Sequence, residues 1–150
     1  LLGWGGEAYR GAVSARWPDL PFEARNPFAG RERALNLPGD VPSLGGPYGA
    51  ILLSGLLASC NRGEVQRILE TAAGALREDG VLALHDAFLP GGALPAPEVI
   101  LGGIGRRMTR GGCRTWSIAR LSEALRKLGF RSVRPEPMLA GTVLVSAWRI

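Results

Sequence analysis

The stretch PYGAILLSGLLASCNRGEVQRILETAAGALREDGVLALHDAFLP, residues 47–90, decides the fold, because it has the pattern of strand, helix and strand. Residues Ala50–Leu57 are almost continuously apolar, which is typical of a strand that is buried on both faces. Glu64–Arg77 carries apolar residues at spacings of three and four, which predicts an amphipathic helix. Val81–Phe88 is a second apolar run. A helix between two buried strands predicts a βαβ unit, and such units form parallel sheets.

Polar residues follow or interrupt these two predicted strands near their ends. They are Ser54 in the first strand and His85 and Asp86 in the second. Ligands of open α/β sheets bind at the carboxyl ends of the strands, so these residues are candidates for a ligand site. Histidine suits proton transfer near neutral pH, and His85 is the only histidine of the chain. Neighbouring side chains of a strand point to opposite faces, so we expect Asp86 to face the site and His85 to be structural.

The remaining elements follow the same alternation of strands and helices. Strands are also expected at residues 22–25, 33–37, 130–135 and 142–148. Helices are expected from a start within residues 3–9 to about Trp17, and at residues 96–108 and 118–128. Asp79-Gly80 predicts a turn, Ser117 a helix cap and Gly129 a helix end. The predicted fold class is therefore α/β, with a doubly wound, mostly parallel sheet and an antiparallel C-terminal hairpin.

Length and composition restrict the class of protein further. The chain has 150 residues, enough for one domain, and no apolar run approaches the ~20 residues of a membrane span. The net charge of +5 comes mostly from scattered arginines, which favours a solvated face over a nucleic-acid surface. Two cysteines offer no disulfide framework and no zinc cluster, so a metal-free cytoplasmic protein is the default. The abrupt start at Leu1-Leu2-Gly3 is that expected of a buried strand whose beginning is missing.

A glycine-rich segment opens the chain. Residues 3–9, GWGGEAY, read as a turn that leads into a helix, and such a turn lets the backbone approach a ligand closely. Asn26 or Glu23, at the end of the second predicted strand, could hold ribose hydroxyls as an acidic residue does in dinucleotide-type folds. Asp40 follows the third predicted strand and could be a ligand contact or simply a turn residue.

With these elements in order, the chain resembles the catalytic domain of the S-adenosylmethionine-dependent O-methyltransferases, the group of plant caffeate-type and bacterial polyketide-tailoring enzymes. The most specific motifs are YGAILLSGLL at residues 48–57, the run at 68–90, and GGCRTWSIARLSEALRKLGFRSV at 111–133. The resemblance covers nearly the whole chain. It implies a class I, Rossmann-like sheet with its last strand inserted antiparallel. It also implies an N-terminal helical dimerisation domain that this chain lacks, and a homodimer in the full-length protein.

The resemblance also assigns S-adenosylmethionine to the predicted ligand site. It implies that the methionine part lies at the glycine turn, the ribose at the second strand, the adenine after the third strand, and that the end of the fourth strand lines the same pocket. The resemblance thus assigns Gly3 and Gly5 to the methionine part and Asn26 to the ribose. It assigns Gly39 and Asp40 to the adenine, and Ser54 and Gly55 to the lining of the pocket.

Several positions depart from the family pattern. Glu7 replaces a glycine of the turn, and its carboxylate would repel that of the cofactor; Leu1 and Asn26 replace acidic residues. Many members carry a histidine base at the position of Ala58, and plant members carry a glutamate that orients this base at the position of Asp86. The candidate catalytic residues are therefore Asp86 and, as a substitute base, His85.

Three functions remain open from the sequence. The first is methyl transfer to a hydroxyl of a small, natural-product-like acceptor, without nucleic-acid or membrane partners. The second is a degenerate member that keeps the fold and serves as a binding or partner subunit, or that catalyses another reaction in the same pocket. The third, an RNA-binding methyltransferase, rests on the arginines alone.

Overall fold

A computed structural model describes residues 2–3, 6–21, 23, 44–89, 97–109, 115–138 and 141–149. In chain order, the elements are β1 (Leu2–Gly3), α1 (Gly6–Arg16), β2 (Tyr48–Ser54), a 3₁₀ turn (Leu57–Ser59), α2 (Arg62–Ala75), β3 (Leu76–Asp86), α3 (Pro97–Thr109), α4 (Ile118–Lys127), β4 (Phe130–Pro137) and β5 (Val143–Arg149). The strand expected at residues 33–37 lies outside the described residues, as does most of the one at 22–25.

The described strands form one sheet in the order β1-β2-β3-β5-β4. The pairs β1–β2 and β2–β3 are parallel, whereas β5 runs antiparallel to both β3 and β4. The expected hairpin and the inserted antiparallel strand are therefore confirmed. The expectation of a mostly parallel sheet is confirmed only in part, because two of these four pairings are antiparallel. The short link between β4 and β5 explains this, since parallel neighbours need a longer crossover.

The βαβ unit forms as predicted, with β3 in the interior of the sheet. Asn61 starts α2 by accepting a hydrogen bond from the Glu64 N–H, and the Glu64 carboxylate accepts one from the Asn61 N–H. This reciprocal capping box satisfies two backbone donors at the helix N-terminus. The predicted end at Arg77 was wrong by two residues, because Leu76 is already extended and pairs with Tyr48 in the sheet.

Asp79-Gly80, predicted as a turn, lies inside β3. The register changes here, because β3 takes five residue steps from Leu76 to Val81 while β2 takes two from Tyr48 to Ala50. The extra residues form a bulge, which explains why a turn-forming pair is accommodated within a strand. Asp79-Gly80 is thus a residue pair typical of turns, but the chain does not reverse there, because the strand continues in the same direction on both sides of it.

The hydrophobic core lies on one face of the sheet, between the strands and helices α2 and α4. Alternate residues of β3 and β5 meet the apolar stripes of the two helices, as the periodicities of two and 3.6 residues require. The fully buried members include Leu82, Leu84, Val145, Ala147, Ile68, Leu69, Leu121, Leu125 and Phe130. Each buried leucine or isoleucine contributes roughly 1.5–3 kcal/mol relative to an exposed one, so this face holds the unit together.

Helix α4 begins and ends almost where the sequence predicts. The Ser117 hydroxyl accepts a hydrogen bond from the Arg120 N–H at 3.3 Å, and α4 ends at Lys127. Gly129 follows with φ +91°, a left-handed conformation that glycine adopts without steric cost. No helix among the described residues is both long and apolar enough to span a membrane.

Candidate functional site at the carboxyl ends of the strands

Three of the predicted site residues lie side by side across the sheet. Gly3 of β1 pairs with Ser54 of β2, and Ser54 pairs with His85 of β3. The three strands are parallel and end together at this row, as the βαβ pattern predicts. The carboxyl edge of the sheet therefore brings together residues that are more than 80 positions apart in the sequence.

Gly55 turns the chain away from the end of β2. Its φ is +60°, which favours glycine, and its N–H donates a hydrogen bond of 2.8 Å to the His85 carbonyl. The predicted residue pair Ser54-Gly55 thus forms the end of the strand and the first turn after it. The backbone of β2 is fixed to β3 at the level of the candidate site.

Asp86 and His85 point to opposite faces of β3, as the alternation of a strand requires. Asp86 shares its face with Leu82 and Leu84, and it is only 8% exposed. His85 is half-buried and lies on the other face. The two candidate catalytic residues therefore belong to different surroundings, although they are neighbours in the sequence.

The Asp86 carboxylate is bound by backbone N–H groups. Oδ2 accepts a hydrogen bond from the Ala58 N–H at 3.0 Å, and Oδ1 accepts one from the Ala87 N–H at 2.8 Å. Ala58 lies in the 3₁₀ turn, whose first N–H groups have no partner within the turn itself. Asp86 therefore fixes the segment that follows β2, and hydrogen bonds to a charged group of this kind contribute about 1.5–3 kcal/mol.

The structure also brings Asp86 next to the position at which the family resemblance places a base. Ala58 is 6% exposed and carries only a methyl side chain. The carboxylate that would orient a histidine there contacts the backbone of that residue instead. The predicted proximity of positions 58 and 86 is thus present, whereas a proton-accepting side chain at position 58 is not.

His85 is held by side chains from two other parts of the chain. The Tyr9 hydroxyl lies 2.8 Å from Nδ1, and the Thr142 hydroxyl lies 3.0 Å from Nε2. The Ser54 hydroxyl donates a hydrogen bond of 3.3 Å to the Tyr9 hydroxyl oxygen. We refer to these four residues, Tyr9, Ser54, His85 and Thr142, as the polar cluster.

One arrangement of hydrogens is compatible with the three hydrogen bonds described for the polar cluster. If Ser54 donates to Tyr9, the Tyr9 O–H can donate to Nδ1 of His85, and the Nε2–H of His85 can donate to Thr142. In this arrangement Nδ1 of His85 accepts a hydrogen bond and Nε2 donates one. Both ring nitrogens then have a hydrogen-bond partner inside the protein, and the structural role of His85 stays a prediction.

Sequence reasoning did not find Tyr9. It lies on α1, and among residues 8–16 of that helix only Tyr9 and Val13 are half-buried while the others are exposed. These two positions are four residues apart and therefore share one face of the helix. This spacing was the available signal, although it does not identify the partner on the sheet.

The other predicted cofactor residues, Gly5, Asn26, Gly39 and Asp40, lie outside the described residues. Glu7 lies in α1, and nothing of its side chain is described. Within the described part of the chain, no group of three or more histidine, cysteine, aspartate or glutamate side chains could hold a metal ion.

A separate cleft of about 760 Å³ lies near the opposite end of β3. It is lined by Glu78 and Asp79 at the start of β3 and by residues of the hairpin, and the Arg134 guanidinium stacks 5.4 Å from the centre of the Trp148 ring. In an α/β sheet, ligands bind at the carboxyl ends of the parallel strands, so this cleft is not the predicted site.

Several solved structures share this fold, and two of the three named here are O-methyltransferases by name. The mitomycin 7-O-methyltransferase MmcR superposes with a TM-score of 0.76 at 23% identity, over 99% of this chain and 48% of that one. An O-methyltransferase family 2 protein from Planctomyces limnophilus, in complex with apigenin, superposes with a TM-score of 0.76 at 19% identity, over 99% of this chain and 48% of that one. The structure described as PigF with SAH superposes with a TM-score of 0.71 at 17% identity, over 99% of this chain and 49% of that one.

These likenesses show the fold. The chain has the fold of the S-adenosylmethionine-dependent O-methyltransferases, as the sequence resemblance implied, and it spans about half the length of those structures. No family model matches the sequence, and no curated protein sequence matches it closely enough to indicate a relative.

Proposed function

We propose that this chain is the cofactor-binding part of a class I, Rossmann-like methyltransferase with a doubly wound sheet. It transfers a methyl group from S-adenosylmethionine to a hydroxyl of a small, natural-product-like acceptor. The observation that carries the proposal is the row Gly3, Ser54 and His85 across the carboxyl ends of three parallel strands, with the glycine turn and α1 directly after it.

The described residues suit a cofactor of this kind. β1 ends at Gly3 at the carboxyl edge of the sheet and α1 begins at Gly6, so the N-terminal N–H groups of α1 would be available to a ligand near that edge. Gly55, with its positive φ, opens the same edge at the end of β2. Gly3 and Gly5 would hold the methionine part, Asn26 the ribose and Gly39-Asp40 the adenine, with Ser54 and Gly55 lining the pocket. PigF, one of the proteins of this fold, is described with SAH.

In the reaction, the bound cofactor supplies an electrophilic methyl group. The work of this chain is positioning, because transfer to an oxygen needs the acceptor and the methyl in line. Asp86 holds the segment after β2 in place through the Ala58 N–H. With alanine at position 58, the described residues provide no histidine base there, and general base catalysis would otherwise add about 10²–10⁴-fold to the rate.

This missing base also favours a second candidate, a methyltransferase-fold protein that binds its ligand without transferring a methyl group. Both candidates predict cofactor binding if the pocket is kept, and they differ in turnover. From the resemblance we further infer that the full-length protein is a cytoplasmic homodimer that acts on a small molecule, without a nucleic-acid or membrane partner. Size-exclusion chromatography with light scattering tests the dimer.

Calorimetric titration of S-adenosylhomocysteine into the full-length protein tests the proposed function. We expect weak binding, because Glu7 would repel the cofactor carboxylate and Asn26 lacks the charge of an acidic residue. The double variant Glu7→Gly, Asn26→Asp should bind at least about 10-fold tighter, which corresponds to about 1.4 kcal/mol. The absence of binding by both proteins would exclude methyl transfer from this cofactor. Tight binding that the double variant does not improve would show that Glu7 and Asn26 do not impair the site.

A further inference from the structure

The chain leaves the row of site residues at Gly3 and returns to it at Tyr9. Gly3 is paired with Ser54 in the sheet, and Ser54 with His85. Six positions later, the Tyr9 hydroxyl lies within hydrogen-bond distance of these same two residues, at 3.3 Å from the Ser54 hydroxyl and 2.8 Å from Nδ1 of His85. The segment that contains the glycine turn is therefore attached to the same row of sheet residues at two positions, Gly3 and Tyr9.

We propose that Tyr9, Ser54 and His85 are positioning residues that fix the glycine turn and thereby set the affinity for the cofactor. This inference rests on the proposed function, in which the turn binds the cofactor. In this inference, the side chains of His85 and Ser54 hold Tyr9 by hydrogen bonds and do not contact the reacting atoms.

The described residues on either side of the turn show how it is attached to the sheet. β1 consists of two residues and forms two residue pairs with β2. From Ala8 to Arg16, only Tyr9 and Val13 are half-buried, so most of α1 faces solvent. A glycine-rich segment samples many backbone conformations, and restricting them before the ligand binds lowers the entropic cost of binding. The polar cluster supplies this restriction at the position where the turn enters the helix.

Thr142 orients the histidine. Its hydroxyl lies 3.0 Å from Nε2, immediately before β5, so the imidazole is held from both sides. A ring that is held at Nε2 presents Nδ1 to Tyr9 in a fixed direction. The polar cluster thus connects α1 with β2, β3 and the residue before β5. A substitution of His85 should therefore change how tightly Tyr9 restricts the turn.

The test is calorimetric titration of S-adenosylhomocysteine into the full-length protein and its variants. Tyr9→Phe keeps the ring and removes the hydroxyl, so the dissociation constant should rise about fivefold, equivalent to about 1 kcal/mol for one hydrogen bond. His85→Leu should have a similar effect. The double variant should be little worse than either single variant, because both remove the same contact.

Rescue and control variants separate positioning from a general structural effect. His85→Asn places a side-chain oxygen near the location of Nδ1 and should restore affinity to within about twofold of the unaltered protein. Tyr48→Phe also removes a tyrosine hydroxyl, one that donates to the Leu44 carbonyl at 2.7 Å and to Glu23 Oε2 at 2.9 Å at the other end of β2. Because Glu23 is a candidate for binding the ribose, this variant is the control for hydrogen exchange at residues 4–9 and not for affinity. Thermal melting confirms folding, and Ser54→Ala, with a smaller expected loss, replaces any variant that fails to fold.

The outcomes distinguish the two proposals. Binding by the unaltered protein that Tyr9→Phe does not weaken would overturn this inference and leave the proposed function intact. Failure of both the unaltered protein and the Glu7→Gly, Asn26→Asp variant to bind would overturn the proposed function. The positioning is then judged by hydrogen exchange of the backbone amides at residues 4–9. Exchange that is faster in Tyr9→Phe than in Tyr48→Phe supports it, and equal exchange overturns it.

Discussion

Asp86 and His85 are neighbours at the end of β3, yet the two faces on which they lie are built differently. Asp86 is buried with the apolar core and is bound by backbone N–H groups of Ala58 and Ala87. His85 is half-buried and is bound by the side chains of Tyr9 and Thr142. These backbone N–H groups are present with every residue type except proline, whereas the partners of His85 depend on the side chains at positions 9 and 142. The contacts described for Asp86 therefore support the loop after β2 through the backbone, and those described for His85 act through side chains.

Ala58→His should have the largest effect, because it places a base beside Asp86. Under the proposed function, methyl transfer should become about 100-fold faster, at the low end of the range for general base catalysis. The measurement is initial rate with a radiolabelled methyl donor and a phenolic acceptor at saturating cofactor. Ala58→Gln, which is also larger than alanine but is not a base, is the control and should give no gain. Equal rates in both variants would show that position 58 does not face the acceptor.

Asp86→Ala should be the most destabilising change at the end of β3. It leaves the Ala58 N–H buried without its acceptor, so the free energy of unfolding should fall by about 2–3 kcal/mol. Urea denaturation followed by circular dichroism measures this. Asp79→Ala, in the same strand, removes an exposed carboxylate paired with Arg77 and should change stability by less than about 0.5 kcal/mol. Similar losses in the two variants would mean that the Asp86 contacts are not a support.

His85→Leu should cost less stability than Asp86→Ala, about 1 kcal/mol, since the half-buried face accepts an apolar side chain and Tyr9 keeps its contact with Ser54. The same denaturation experiment tests this. A loss as large as that of Asp86→Ala would remove the contrast between the two faces.

Ser54→Ala should have the smallest effect on stability, about 0.5 kcal/mol, because its hydrogen bond to Tyr9 is long at 3.3 Å and the contact of Tyr9 with His85 remains. Differential scanning calorimetry of the unliganded protein measures it. A loss above that of His85→Leu would mean that Ser54, rather than His85, is the main partner of Tyr9.

The sequence by itself determined the elements that depend on neighbouring residues. The apolar runs around Ile51 and Leu82, the stripe of α2 and the cap at Ser117 all reflect contacts within one strand or one helical turn. They predicted the βαβ unit and the alternation that separates His85 from Asp86. The resemblance to known methyltransferases, carried by the same stretches, predicted the inserted antiparallel strand.

Only the tertiary structure decided contacts between distant parts of the chain. Tyr9 and His85 are 76 positions apart, and no local pattern selects one as the partner of the other. The end of α2 likewise depended on the pairing of Leu76 with Tyr48, which overrides a helical periodicity that continues past it. Periodicity reports which face of an element is apolar. Periodicity does not indicate which polar group of another element becomes the hydrogen-bond partner, because the partner depends on the register in which strands and helices pack.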